Sequence, residues 1–239
     1  GISADYDVSP SLYTSLMIIQ HRGQESAGIS VFNGASVETL KGLGLVNNAL
    51  PREEVSRLLG HVGVGHVRYA TTGSKSVANA QPFSVMTNFG TVAVAHNGDI
   101  TNFSVLKDKY MKEGWTFLTD SDSELVTKLL GKYMSMQNDP VKAIRATMGE
   151  LDGAYALTIL IDKRLFAVRD PYGFRPLCLG KLDGGYIVVS ESAAIDALHG
   201  DFVRDIEPGE ICEITQDSFK MYPAVAQHPK AHCMFEWVY

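Results

Sequence analysis

Apolar and polar positions along this chain change their period twice. Ser9-Pro10 opens the first helical pattern, with serine as the expected cap and proline in the first turn. Leu12, Leu16 and Ile19 form its apolar stripe, and the helix delivers the chain to His21-Arg22-Gly23. Short apolar runs then predict strands at 27–32, 63–69 and 91–96. Helical periods follow at 102–113, 122–136 and 140–151. The last third returns to strands at 154–161, 165–168, 177–179, 186–190 and 209–214, with Asp183-Gly184-Gly185 as a hairpin turn. A strand block, a helix block and a second strand block do not alternate as βαβ units would. The pattern therefore predicts an α+β fold of antiparallel sheets with helices on their outer faces.

Composition narrows the function classes. A chain of 239 residues that is 45% hydrophobic suits one large domain or two small ones and can bury a substantial core. A net charge of −6 argues against general nucleic-acid binding, which leaves a basic footprint. No apolar run approaches the roughly 20 residues of a membrane span. No basic region followed by an apolar segment marks a signal peptide. The three cysteines, Cys178, Cys212 and Cys233, lack CxxC spacing, so reduced thiols in a cytoplasmic compartment are expected. Cys178 and Cys212 lie in apolar strand patterns and read as buried small hydrophobes.

Four polar motifs carry the candidate chemistry: 21–28 (HRGQESAG), 65–73 (GHVRYATTG), 95–99 (AHNGD) and 121–124 (SDSE). They gather where predicted strands end in loops, and no Gly-x-Ser-x-Gly elbow accompanies them. Each admits a plain reading beside a functional one. Asn97-Gly98 is either a hairpin turn or an amide and an N–H aimed at one oxyanion. Arg68 shares a strand face with Val64 and His66, and either pairs with a surface acid or clamps a carboxylate in a bidentate manner. Asp122 is a helix-cap acid or the receiver of an α-ammonium. Arg22-Gly23 is an ordinary helix end or part of the same site.

In this order and with these neighbours, the motifs resemble the glutaminase domain of the N-terminal-nucleophile glutamine amidotransferases. Within that family they are most similar to glutamine phosphoribosylpyrophosphate amidotransferase. The likeness extends through Gln81-Pro82-Phe83, the segment 170–177 (DPYGFRPL) and Ser190-Glu191-Ser192, nearly the whole chain. It implies a four-layer αββα sandwich of two antiparallel sheets, the N-terminal-nucleophile hydrolase fold. It also implies a glutaminase domain over 1–227 and, over 228–239, a junction toward a phosphoribosyltransferase domain. Motif by motif, the resemblance makes Asn97 and Gly98 the oxyanion hole. Arg68 and Asp122 become the holders of the glutamine carboxylate and ammonium. Arg22 and Gly23 lie beside the nucleophile, and Thr71, Thr72 and Gly73 form the loop next to Arg68.

The nucleophile of that family is an N-terminal cysteine whose α-amine relays the proton. Family members begin Cys-Gly-Ile-x-Gly-Ile, so Gly1-Ile2 matches the second Gly-Ile pair and the cysteine is expected four residues ahead of it. A chain starting at Gly1 is therefore expected not to form the thioester. The implied reaction delivers ammonia from glutamine to phosphoribosyl pyrophosphate, making 5-phosphoribosylamine in the first step of purine synthesis. Mg²⁺ is expected in the phosphoribosyltransferase domain, no cofactor in the glutaminase domain, and a homo-oligomer overall. Some members carry an iron–sulfur cluster with one ligand near the junction, so Cys233 is either that ligand or a plain linker thiol. His228 and His232 lie close to it, though Pro229 opposes a regular helical pair. Two other classes fit the same residues: a glutamine-binding module without hydrolysis, and a hydrolase acting on another amide.

Overall fold

The computed structural model describes residues 1–69, 76–226 and 228–238. The chain begins with β1 (Ile2–Ala4), α1 (Ser9–Ile18), β2 (Ser26–Phe32) and β3 (Val37–Leu43), then the short α2 (Val46–Ala49) and α3 (Arg52–Val55) and β4 (Val62–Arg68). β5 (Phe83–Thr87) and β6 (Gly90–Ile100) lead into α4 (Phe103–Lys112), α5 (Asp122–Met136) and α6 (Pro140–Met148). The rest is β7 (Gly153–Ile161), β8 (Arg164–Arg169), β9 (Cys178–Leu182), β10 (Gly185–Val189), α7 (Ala193–Ala197), β11 (Asp201–Asp205), β12 (Ile211–Ile214) and β13 (Phe219–Tyr222).

Two antiparallel sheets result. One has seven strands in the order β11-β9-β10-β1-β4-β2-β3, the other six in the order β13-β12-β8-β7-β6-β5. Three apolar layers hold them. Leu12 and Leu16 of α1 and Ile195 of α7 pack on Ile29, Val31 and Ile187 of the first sheet. Leu125, Leu129 and Leu130 of α5 and Ile144 of α6 pack on Val92, Val94, Leu157 and Phe166 of the second. Between the sheets lie Val62, Val64, Ala93, Ala156, Leu160, Leu179 and Val188. The layers are helix, sheet, sheet, helix, as the resemblance implied. Among the described residues no helix is long and apolar enough to cross a membrane.

Alternation along β6 sorts its side chains with period two. Val92, Val94 and Ile100 enter the helix-facing core, whereas Ala93 enters the inter-sheet layer. His96 shares the first face and Asn97 the second. β6 pairs with β7 from Val92↔Ile161 through Ile100↔Gly153 without a break.

Several local expectations change. Asn97-Gly98 is not a turn: the strand continues past it, with Asn97↔Ala156 and Gly98↔Tyr155 in register. Ser9 is not the cap of α1. Val8 stands at that position, and the Ser9 hydroxyl donates instead to the Leu58 carbonyl, tying the helix start to the 58–60 loop. At α5 the cap is Ser121, whose hydroxyl accepts from the Ser123 N–H, so Asp122 sits in the first turn. Asp183-Gly184 does turn the β9–β10 hairpin, with Gly184 at φ +75°. β3, β5, β11 and β13 were not anticipated, because their exposed or mixed faces carry little periodic signal.

The outer helices are fastened by a polar knot as well as by the core. The hydroxyls of Tyr110 and Tyr133 both donate to Glu150 Oε1, and Lys109 Nζ meets Glu150 Oε2 at 3.0 Å. Partial burial pushes the Glu150 carboxyl up, but these donors outweigh it and hold the group down to about 2.

Leu129 is fully buried in the helix-facing core. Leu129→Ala should cost ~2–5 kcal/mol in chemical denaturation without altering the far-UV spectrum of the folded state. A loss under 1 kcal/mol would mean that the core is looser than this packing.

Candidate functional site

β4 and β6 approach one another at one end of the inter-sheet layer, and α5 begins beside them. Their ends frame an open cleft of about 690 Å³. Of the residues singled out in the sequence, Arg22, Arg68, Asn97, Gly98 and Asp122 all line it. Arg22 comes from the 3-10 turn Gln20–Arg22 after α1, Arg68 from the end of β4, Asn97 and Gly98 from β6, and Asp122 from the first turn of α5. Thr71, Thr72 and Gly73 lie outside the described residues.

Gly23 does not line the cleft but permits it. Its backbone is extended (φ −173°, ψ 123°), so the left-handed helix cap expected there is absent. A Cβ at Gly23 would stand 2.6 Å from the carbonyl carbon of Arg68 and 2.7 Å from that of Val67. Close approach of two backbones, and no left-handed turn, requires this glycine.

Each side chain of the cleft has an assigned posture. The Arg68 guanidinium is buried, with Nη1 on Glu25 Oε1 at 3.1 Å. The Glu25 N–H also donates to the Arg68 carbonyl at 3.0 Å, so this acid fixes both main chain and side chain of the β4 end. Arg68 thus has an acidic partner, as the plain reading supposed, but that partner is largely buried and Arg68 itself lines the cleft. Asp122 Oδ2 accepts the Ile100 N–H at 3.1 Å, and its Oδ1 accepts the Ser123 hydroxyl at 3.3 Å. The Asn97 Nδ2 is buried with no hydrogen-bond partner among the described residues. A buried amide donor without an acceptor costs free energy unless a ligand completes it.

The sequence reading missed the residues that hold this frame. Gln81 pairs with β6 like an extra strand residue: its Oε1 accepts the His96 N–H at 2.7 Å and its Nε2 donates to the His96 carbonyl at 3.1 Å. On the other face, His96 Nδ1 lies 3.0 Å from Ser123 Oγ and 3.7 Å from Asp122 Oδ1. Arg175 also lines the cleft. It is carried by a loop in which Asp170 accepts the N–H groups of Tyr172, Gly173 and Phe174. Arg169 donates to the carbonyls of Arg175, Ile206 and Gly173. The segment 170–177 was recognised as a motif, but only the fold brings its arginine to this wall.

A second open pocket adjoins the cleft, sharing Arg22, His66 and Asn97 and extending along Gly65 of β4, Val189 of β10 and Gly1. Cys178 and Cys212 are buried in strands, and burial pushes both thiols up to about 12. Neither lines the cleft. Among the described residues no three His, Cys, Asp or Glu side chains gather as a metal site.

Known proteins resemble this chain over nearly its whole length. The glutamine amidotransferase domain family matches residues 66–197. Amidophosphoribosyltransferase of Archaeoglobus fulgidus is 42% identical over 98% of the chain and 51% of its own length. The human amidophosphoribosyltransferase is 38% identical over 98% of the chain and 50% of its own length. The solved structure of glutamine phosphoribosylpyrophosphate amidotransferase from B. subtilis, complexed with ADP and GMP, superposes with a TM-score of 0.92 at 33% identity. It is matched over all of this chain and 51% of that one. The chain spans about half the length of the curated relatives it matches.

Both histidines of the cleft are held neutral. Burial, reinforced by the nearby His96 and Arg68, pushes His66 down to about 3 against a hydrogen bond to the His96 backbone. Burial likewise lowers His96, opposed by the carboxylates of Asp122 and Asp99. An unfolded histidine takes its proton near pH 6.5, whereas folded His66 refuses it. Stability is therefore undiminished above pH 6.5 and falls on acidification toward 3, by up to ~1.4 kcal/mol per pH unit for His66. The ¹⁵N shifts of His66 should stay those of a neutral ring from pH 7.5 to 5. A titration midpoint above 5.5 would contradict the desolvation of this half-buried ring.

Proposed function

The chain belongs to the glutamine amidotransferase domain family, and from that premise we propose that its cleft binds glutamine and hydrolyses the side-chain amide for a phosphoribosyltransferase domain of the same polypeptide. The observation that carries this reading is the buried, partnerless Asn97 Nδ2 in a cleft walled by Arg68 and Asp122. In this reading the Arg68 fork takes the α-carboxylate of glutamine and Asp122 takes its α-ammonium. The amide end then reaches Asn97 and Gly98. Arg22 lies beside the reacting carbon and Gly23 keeps the strand end close, while Thr71, Thr72 and Gly73, outside the described residues, are proposed only as substrate-binding residues by the resemblance.

The nucleophile in this proposal is an N-terminal cysteine four residues ahead of Gly1. β1 pairs Ile2↔Gly63 with β4 and Ile2↔Ile187 with β10, so it runs between these strands. Extending the β4 register backward by four residues arrives opposite Arg68, through the cavity lined by Gly65, His66 and Val189. The α-amine of such a residue, with an ordinary pKa near 7.7–8.0, accepts the thiol proton. The sulfur attacks the side-chain amide carbon, and the oxyanion is held by Asn97 Nδ2 and the Gly98 N–H. The α-amine returns the proton to the departing nitrogen, ammonia leaves, and water then cleaves the thioester to release glutamate.

At the level of the whole protein we propose amidophosphoribosyltransfer. The ammonia displaces pyrophosphate from phosphoribosyl pyrophosphate to give 5-phosphoribosylamine for purine synthesis. The proposed setting is a cytoplasmic homo-oligomer with Mg²⁺ in the phosphoribosyltransferase domain. An iron–sulfur cluster does not fit the described residues alone. Cys233 is the one thiol outside the strands, and its Sγ lies 3.4 Å from Arg175 Nη1. It could supply one ligand, and no step above runs through a cluster.

Treatment of the natural full-length product with a glutamine-analogue diazoketone should leave its adduct on an N-terminal cysteine, read by peptide mass spectrometry. A chain beginning at Gly1 should bind glutamine and release no ammonia. An unmodified natural N-terminus would reduce this protein to a glutamine-binding relative. In the full-length enzyme, Asn97→Ala should lower kcat by about 10²–10³. Arg68→Ala and Asp122→Ala should abolish measurable glutamine use, and normal hydrolysis by either variant would refute the assigned pocket.

A further inference from the structure

One carboxylate outside the residues assigned above touches two cations of the cleft. Glu236 Oε1 lies 2.8 Å from Arg22 Nη2 and 3.3 Å from Arg175 Nη1. Glu236 belongs to the 3-10 turn Met234–Trp237, more than two hundred residues from Arg22 along the chain. Arg22 is gripped from the other side by Glu191, whose Oε1 is 2.6 Å from Nη1. His21 reaches the same Glu191 oxygen at 3.0 Å. The two guanidinia therefore meet at a single acid while both line the cleft.

Without that acid, two like charges would share one wall of the cleft with no carboxylate between them, an arrangement their repulsion disfavours. Arg22 would still have Glu191, but the Arg175 guanidinium would lose its carboxylate, and its Nε has no partner among the described residues. Left with the Cys233 Sγ at 3.4 Å from its Nη1, Arg175 is the cation whose direction depends chiefly on Glu236. The loop beneath it is rigid, held by Asp170 and Arg169, so the change would fall on the side chain and not on the main chain.

We propose that Glu236 is a positioning residue for glutamine: it gathers the Arg22 and Arg175 guanidinia at one point on the cleft wall and thereby sets the shape and charge of the pocket. This inference rests on the glutamine reading of the cleft. Glu236 does not touch the reacting atoms. Arg22 keeps Glu191 on its other side, and Asn97 is held by the β6 register, which Gln81 brackets at His96 without touching Glu236, so substrate capture should suffer and turnover should not.

The test is steady-state glutamine hydrolysis by the full-length enzyme with its natural N-terminus. Glu236→Gln should raise KM for glutamine roughly tenfold, as for loss of one charge-assisted contact, with kcat within about twofold of the parent. Glu236→Asp, shorter but still charged, should raise KM less than Glu236→Gln. A purely packing role predicts the reverse, since glutamine matches the shape of glutamate and aspartate does not; that order would overturn the proposal. Arg175→Gln combined with Glu236→Gln should raise KM by less than the product of the two single effects, because one acts through the other. Full multiplicativity would also overturn it. Arg68→Ala serves as the control. If it loses glutamine while Glu236→Gln keeps the parent KM, the pocket stands and the positioning role falls. If neither variant changes glutamine use, the pocket assignment fails and this inference fails with it.

Discussion

The pairing of β6 with β7 is the constraint on which the cleft depends. Side chains alternate along a strand, so a slip of one residue would exchange the two faces. In the observed register His96 turns toward α5 and Asn97 toward the inter-sheet cleft. The same slip would put Val94 and Val92 out of the helix-facing core. Core burial and site geometry are thus enforced by one set of backbone hydrogen bonds. Gln81 adds a side-chain pair at His96, the residue just before the critical amide.

Around that strand, charge is arranged by subtraction. His66 and His96 are kept neutral by burial, so the fixed positive charge comes from Arg22, Arg68 and Arg175. The acids Glu25, Glu191 and Glu236 each hold a guanidinium in place. Asp122 is held by a backbone N–H and a hydroxyl instead of by a cation. Arg68 and Asp122 thus present a cation and an anion to the cleft from separate elements, β4 and α5, whose relative position the cores fix.

The sequence disclosed more of this than local pattern alone would suggest, and its failures have physical causes. Helix α5 begins at Asp122 as read, because a serine cap followed by acids is a strong local signal. Leu12, Leu16 and Ile19 are buried as their spacing required. Asn97-Gly98 has the chemistry of a hairpin turn, and tertiary pairing overrides it. Gly23 has the look of a helix stop, yet its need is steric and set by a strand more than forty residues away. Arg175 lay in the recognised segment 170–177, but nothing local marked it or Glu236 for this cleft: only the fold joins a C-terminal turn to the end of the first helix.

Glu150 gives the molecule an asymmetry in how it would come apart. Its three donors keep it ionised down to about 2, so the α4–α5–α6 junction retains its polar knot deep into acid. The inter-sheet side of the second sheet faces His66, which must stay uncharged. Acid should therefore loosen the molecule from the inter-sheet end outward, leaving the helical cover as the last organised layer. Resistance to low pH belongs to the cover, sensitivity to the working end.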